Sequence, residues 1–273
     1  MAGFRFLVLQ AEIVLCERIT MDSTKPLQGR IALVTGVGRR VGIGAAICRE
    51  IAKNGGDVFF TYWHQYDKET HSENSENDPA GIAAQLSQFG VRVESVEIDL
   101  SVPDSAEKLF QAVENDLGTP SILINNACHD FEVPFVELSP EILDRHYAVN
   151  VRAVAMLCKE FVKRGNAGHI ISMTSGQSLG SMGNHKIPYA ITKAALEMLA
   201  TQLAPGLARR GITINALDPG PTDTGWTTEE LKEQVRRESK HGKVNTPEDI
   251  ARLIVSILTE KKYPTGEVVH AER

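Results

Sequence analysis

The sequence predicts an α/β fold: one doubly wound parallel sheet of about seven strands with helices on both faces. Three observations predict it. Short β-branched runs alternate with longer helical stretches from residue 31 to residue 270. The runs are continuously apolar rather than alternating, as strands buried on both faces must be. Strand–helix repetition with right-handed crossovers then stacks such strands in parallel.

In order, Ile31-Ala32-Leu33-Val34 reads as the first strand, followed by a glycine-rich turn and a helix over 42–54. Strands are expected at 57–62, 91–98, 122–124, 169–173, 212–216 and 267–270. Helices are expected at 103–117, 140–163 and 188–210, the last kinked or ended by Pro205. The polar stretch 67–79 lacks apolar periodicity and is expected to be a solvated loop. One domain explains residues 28–273. Residues 1–27 are expected to be a poorly ordered leader or an over-extended start, because the apolar run 4–16 is broken by Gln10 and Glu12 and makes a poor secretory signal.

Composition narrows the partners. A net charge of −6 with mixed signs argues against nucleic acid, which needs a clustered basic face. No stretch approaches the ~20 apolar residues of a membrane helix. The 4 cysteines (Cys16, Cys48, Cys128, Cys158) are scattered, with no CxxC pair, which fits reduced thiols and a cytoplasmic location.

Between first strand and first helix lies Thr35-Gly36-Val37-Gly38-Arg39-Arg40-Val41-Gly42-Ile43-Gly44. Glycines let backbone turn tightly and approach a pyrophosphate, which meets the positive end of the helix. A tight βα turn wants glycine for steric reasons too, but this position in a βαβ unit favours dinucleotide binding by a Rossmann-like fold. An acid at the end of the second strand would bind the adenosine ribose diol and repel a 2′-phosphate. Thr61-Tyr62-Trp63-His64 offers none before Asp67, and Arg39 and Arg40 could fork onto a phosphate. Both features lean toward NADP(H), with NAD the alternative.

Tyr189-Ala190-Ile191-Thr192-Lys193 opens a helix, and a spacing of four puts phenol and ammonium on one face. A cation beside a tyrosine lowers its pKa from about 10 toward the range of an acid/base catalyst. Alone such a pair is common. Here it follows Ser172-Met173-Thr174-Ser175 at a strand end, Asn125-Asn126-Ala127 after the fourth strand, Asn150 within Tyr147-Ala148-Val149-Asn150-Val151, and precedes Asp218-Pro219-Gly220-Pro221-Thr222-Asp223-Thr224.

In that order and spacing the chain, over residues 29–270, resembles the short-chain dehydrogenase/reductase superfamily, in its 3-oxoacyl-carrier-protein-reductase-like branch. The resemblance implies that Tyr189 is the general acid/base, that Lys193 tunes it and binds the nicotinamide ribose, and that Ser175 hydrogen-bonds the substrate oxygen. Asn150 would hold a water linking Lys193 to solvent. It further implies that Gly36, Gly38, Arg39, Arg40, Gly42, Ile43 and Gly44 cradle the dinucleotide phosphates. Asp99 and Leu100 would meet the adenine, Asn125, Asn126 and Ala127 would line the cofactor, and Pro219, Gly220, Thr222 and Thr224 would hold its carboxamide and pyrophosphate. A homotetramer or homodimer is implied as well.

Four departures stand out. The glycine loop is two residues longer than the family's, Cys128 replaces a glycine, Ser175 precedes Tyr189 by one position more than usual (with Ser178 as fallback), and no glycine-rich end follows His270. The expected reaction is hydride transfer between NADP(H) and a carbonyl or secondary alcohol. An NAD-dependent alcohol or sugar dehydrogenase is the enzyme alternative, and a non-catalytic dinucleotide sensor the alternative of another class. Trp226 and Phe131 are candidates to flank the substrate, under a charged helix 229–240 as a lid or plain surface helix. Metal binding by His64 and His71 is not expected.

Overall fold

The computed structural model describes residues 25–70, 78–165, 167–176, 184–225, 229–238, 244–260 and 264–271. Seven strands form one all-parallel sheet in the order β3-β2-β1-β4-β5-β6-β7. They are β1 (Ile31–Val34), β2 (Asp57–Tyr62), β3 (Val93–Glu97), β4 (Ile122–Asn125), β5 (Gly168–Met173), β6 (Ile212–Asp218) and β7 (Val268–His270). Helices α1 (Ile43–Lys53), α2 (His64–Thr70), α3 (Asp78–Ser87), α4 (Ser105–Asp116), α5 (Pro140–Tyr147), α6 (Val154–Arg164), α7 (Ile187–Ala208), α8 (Glu229–Glu238) and α9 (Pro247–Thr259) connect them.

The period of two along each strand divides the core. Ala32, Val34, Val58, Phe60, Ile122 and Ile124 face α1, α3 and α9 through Ile47, Ile51, Ile82, Leu86, Ile250 and Ile254. Leu33, Phe59, Leu123, Ile170 and Ile214 face α4, α6 and α7 through Leu109, Phe110, Phe161, Leu196 and Ala200. Removing Phe161, which is fully buried, would cost about 3–5 kcal/mol. β3 closes one edge with a mostly exposed Val-Glu-Ser-Val-Glu pattern, unlike the central strands.

The sequence order reverses between β1 and β4, so their connections leave to opposite faces and open a crevice beyond the carboxyl ends of both strands. Ligands of doubly wound sheets bind at such switch points.

Several expectations change. The segment expected as a loop over 67–79 is helical at both ends, in α2 and α3, because Ile82 and Leu86 give α3 an apolar face to bury; residues 71–77 lie outside the described residues. Pro205 does not end α7, which continues to Ala208 with Ala204 and Leu207 buried in the core. Packing there outweighs one missing backbone hydrogen bond. The long helix expected at 140–163 is two helices joined by a π-turn, Ala148–Ala153. Leu27, on the sequence's leader side, is fully buried, and its N–H donates to the Asn54 carbonyl at 2.9 Å. Residues 1–24 lie outside the described residues.

Candidate active site

The crevice is built first from the turn after β1. Thr35 is buried, and its hydroxyl oxygen accepts from the backbone N–H groups of Asn126 and Ala127, each at 3.1 Å. Asn126 returns the link, its amide donating to the carbonyls of Thr35 and Gly36 at 2.9 Å. The two loops are thereby stapled together. Gly36 has φ +73°, and a Cβ on it would lie 2.5 Å from the Ala127 Cα, so only glycine permits this approach. Gly44 is as tight, 2.7 Å from the Asn126 amide nitrogen.

Helix α1 begins after Gly42 with no side-chain cap and no acid in its first turn. Its first N–H groups therefore lack the partner that capping side chains give, and the helix dipole adds positive character. This cradle of closely packed glycines at an uncapped helix start fits a dinucleotide pyrophosphate.

The adenosine end differs from expectation. Asp67 is buried, and its carboxylate sits against Gly38, where any Cβ would collide with Oδ2. Burial pushes its pKa up while Arg39 beside it pulls it down. Helix α2 folds the chain back so that an acid beyond the end of the second strand reaches the glycine loop. Arg39 itself donates to the Thr224 carbonyl at 3.4 Å, across the crevice. Arg40 turns outward into an ion pair with Asp78 at 3.0 Å, and Asp78 also accepts from its N–H at 3.1 Å. The two arginines thus part company. At the end of β3, Asp99 accepts from the Ser101 N–H at 2.8 Å and Leu100 is buried below it.

On the other side, β6 leads into Asp218-Pro219-Gly220. Gly220 has φ +60° and donates its N–H to Asp218 Oδ1 at 3.0 Å. Thr222 folds back, its hydroxyl near the Pro219 and Gly220 carbonyls at 3.2 and 3.1 Å. His270 Nδ1 lies 3.0 Å from Asp218 Oδ2, tying β7 to β6.

Tyr189 and Lys193 occupy successive turns of α7. The Lys193 ammonium is 5.4 Å from the Tyr189 ring centroid and donates to the Met173 carbonyl at 2.7 Å. A hydrogen bond with the Ser175 side chain pulls the Tyr189 pKa down, but the net value stands well above the usual phenol. Burial is the largest cause, followed by the charges of Cys128 and Asp130. Burial outweighs the expected lowering by Lys193. Half-buried Cys128 also neighbours Lys193, and desolvation raises its thiol, which disfavours the reactive thiolate.

Asn150 lies in the π-turn and is buried. Its side-chain oxygen accepts from the His129 N–H at 2.7 Å, and its amide donates to the His129 carbonyl at 2.9 Å and to Thr192 at 3.0 Å. That side chain splints the loop after β4 to α7. Asn125 is buried beneath the crevice, donating to Ser172 at 3.1 Å. Ser178 and Trp226 lie outside the described residues, and Phe131 is about half exposed at 52%.

Sequence reasoning missed Lys186, one turn before Tyr189, with its ammonium 5.7 Å from the same ring centroid. The spacing of three was a usable signal. It also missed Asp130 and Glu132, which hold Lys186 at 2.8 and 2.9 Å; no local pattern announces a loop contact across 56 residues. Among the described residues no cluster of metal-ligating side chains occurs, and no helix is long and apolar enough to cross a membrane.

Known proteins share this arrangement. The family model described as Enoyl-(Acyl carrier protein) reductase matches residues 36–273. The uncharacterized oxidoreductase YjdA of Bacillus subtilis is 39% identical over 254 residues, covering 90% of this chain and 96% of that one. A short-chain dehydrogenase/reductase from Serratia marcescens superposes with TM-score 0.80 at 29% identity, covering 90% of this chain and 97% of that one. The angucycline C-6 ketoreductase LanV, solved with bound NADP, gives TM-score 0.78 at 29% identity, covering 90% and 95%. With its parallel seven-stranded sheet, stapled glycine loop and Tyr189–Lys193 pair on one helix, the chain belongs to the short-chain dehydrogenase/reductase superfamily of oxidoreductases.

Proposed function

We propose that the protein is an NADP(H)-dependent reductase of a ketone or aldehyde, with Tyr189 as proton donor. The observation that carries this reading is the convergence of Tyr189, Ser175 and Lys193 beyond the carboxyl ends of β5 and β6, beside the glycine cradle. When bound, the dinucleotide supplies the hydride. The remaining work falls to the chain. Ser175 would donate to the substrate oxygen as negative charge builds there. Tyr189 would deliver its proton to that oxygen. The phenol is protonated at neutral pH, the form a reduction starts from. Lys193, already inside the site, would turn from the Met173 carbonyl toward the cofactor ribose and the phenol. A solvent link to Lys193 would run through main-chain groups of the π-turn, since the Asn150 side chain is committed to His129 and Thr192.

NADP(H) is favoured by Arg39 beside the glycine loop and by the NADP held in the related ketoreductase. One observation favours NAD: the Asp67 carboxylate against Gly38, where it would repel a 2′-phosphate. Under the NADP(H) reading, Arg39 exchanges Asp67 for that phosphate. Gly42, Ile43 and Gly44 would meet the pyrophosphate, Thr222 and Thr224 the nicotinamide side, and Asp99 the adenine. The working protein would be a cytoplasmic homodimer or homotetramer acting on a small molecule.

Loss of NADPH and NADH absorbance, measured against a panel of ketones and aldehydes, tests the reading. Turnover by the wild type that Tyr189→Phe abolishes is expected. Undiminished turnover by that variant would remove Tyr189 from the chemistry, and tighter binding of NAD than of NADP would reverse the cofactor choice.

A further inference from the structure

The side of Tyr189 away from Lys193 carries charges that the proton transfer does not use. Lys186 caps the start of α7, and Tyr189 and Lys193 follow on one of its faces, which sets two ammonium groups near the phenol ring, 5.7 and 5.4 Å from its centroid. Lys193 is occupied by the Met173 carbonyl and the Cys128 thiol. Lys186 is gripped instead by Asp130 Oδ2 at 2.8 Å and Glu132 Oε1 at 2.9 Å, from the loop after β4. That loop is fixed from three directions. The Asp130 N–H donates to the Tyr66 hydroxyl at 3.1 Å, the Phe131 N–H donates to His146 Nε2 at 3.2 Å, and the His129 backbone is held by Asn150. Asp130 is therefore placed by rigid neighbours rather than left to sample solvent.

Its second carboxylate oxygen, Oδ1, is shielded from solvent and has no hydrogen-bond partner among the described residues. A carboxylate accepts at both oxygens, and one left bare costs more than a made hydrogen bond returns, so the position calls for a donor. The Lys186 ammonium is engaged by Oδ2 and by Glu132, and no other donor among the described residues reaches Oδ1. Asp130 also lies within electrostatic reach of the Tyr189 hydroxyl, the atom that would meet the substrate carbonyl.

We propose that Asp130 Oδ1 is a substrate-binding group, and that the substrate is a ketone bearing a hydroxyl group close to the carbonyl being reduced. This rests on the reductase reading above and narrows its substrate class. The substrate hydroxyl donates to Oδ1 while its carbonyl oxygen faces Ser175 and Tyr189, giving two fixed points and hence one orientation toward the cofactor. Lys186 holds the carboxylate in register and balances its charge, acting as a positioning residue. A site built to receive a hydroxyl discriminates strongly against the analogue lacking it, because the buried acceptor is then left bare.

Matched ketones test this: acetophenone bearing a hydroxyl on its methyl carbon against acetophenone itself, and 3-hydroxybutan-2-one against butan-2-one, each with NADPH and NADH. For the wild type, kcat/KM for the hydroxylated member is expected to exceed its partner's by about 10-fold or more. Asp130→Ala should erase that ratio, and the isosteric Asp130→Asn should shrink it while preserving thermal stability and dinucleotide affinity. Lys186→Met should raise KM for the hydroxylated ketones more than for their partners. Equal kcat/KM within each pair for the wild type, or a ratio untouched in a folded Asp130→Asn protein, overturns the proposal and leaves the reductase reading standing. No reduction of any ketone or aldehyde overturns both.

Discussion

The two halves of the crevice contrast sharply. The nicotinamide half, between β4, β5, β6 and α7, is fixed by buried groups: Thr35 bound to the Asn126 turn, Asn150 splinted to His129 and Thr192, and Lys193 held at the Met173 carbonyl. The adenosine half is assembled from charged pieces on a lengthened glycine loop, α2 and the start of α3, where Arg40 and Asp78 pair at the surface and Arg39 lies beside the carboxylate of Asp67. Buried hydrogen-bond networks specify one geometry, whereas part-exposed ion pairs exchange partners at small cost. Chemistry belongs in the first environment, and choice between two similar dinucleotides can be settled in the second.

The largest test of that contrast is Tyr189→Phe, which removes the proton donor without disturbing the scaffold. Turnover should fall by about 10²–10⁴-fold while dinucleotide affinity stays within twofold or so, read by steady-state kinetics and fluorescence titration. Next comes Gly36→Ala, which forces a Cβ into the Ala127 backbone at a left-handed φ. A loss of at least about 1–3 kcal/mol of stability and much weaker dinucleotide binding are expected from denaturant melts and titration. An unaltered melt would mean the staple between the loops is looser than its hydrogen bonds imply.

The adenosine half should respond more mildly and in the opposite sense. Asp67→Asn removes a negative charge from the glycine loop, so affinity for NADP should rise by about 10-fold relative to NAD. A fall in NADP affinity would show Asp67 contributing through structure rather than charge. The smallest effect is acid sensitivity of the sheet. His169 has its pKa lowered to about 4, chiefly by burial and secondarily by Arg30, so the fold favours the neutral ring. The unfolded chain takes up a proton near pH 6.5, hence this stabilisation is complete above that value and disappears as pH drops toward about 4. His169→Asn should flatten the dependence by on the order of 1 kcal/mol, solvent screening included.

The same contrast explains what the sequence could reveal. Strand and helix placement was readable because buried parallel strands are apolar throughout, as in Ile122-Leu123-Ile124, and Tyr189 with Lys193 was readable because helical spacing is local. Asp67 was not. Its distance from the end of β2 argued against any role there, and only the turn of α2 brings it to Gly38. Asp130 and Lys186 were hidden for a related reason, since their contact spans separate loops. The π-turn at Asn150 left no mark in the residue pattern, which remains helical in its period. What local periodicity encodes was visible; what chain reversals create was not.

The close packing of Asp67 on Gly38 carries a consequence for relatives of this chain. Even a methyl group at position 38 would have to push the Asp67 carboxylate off the glycine loop. Position 38 and position 67 should therefore vary together: relatives that replace this glycine should carry a smaller or differently placed side chain at 67, and relatives that keep the carboxylate there should retain the glycine.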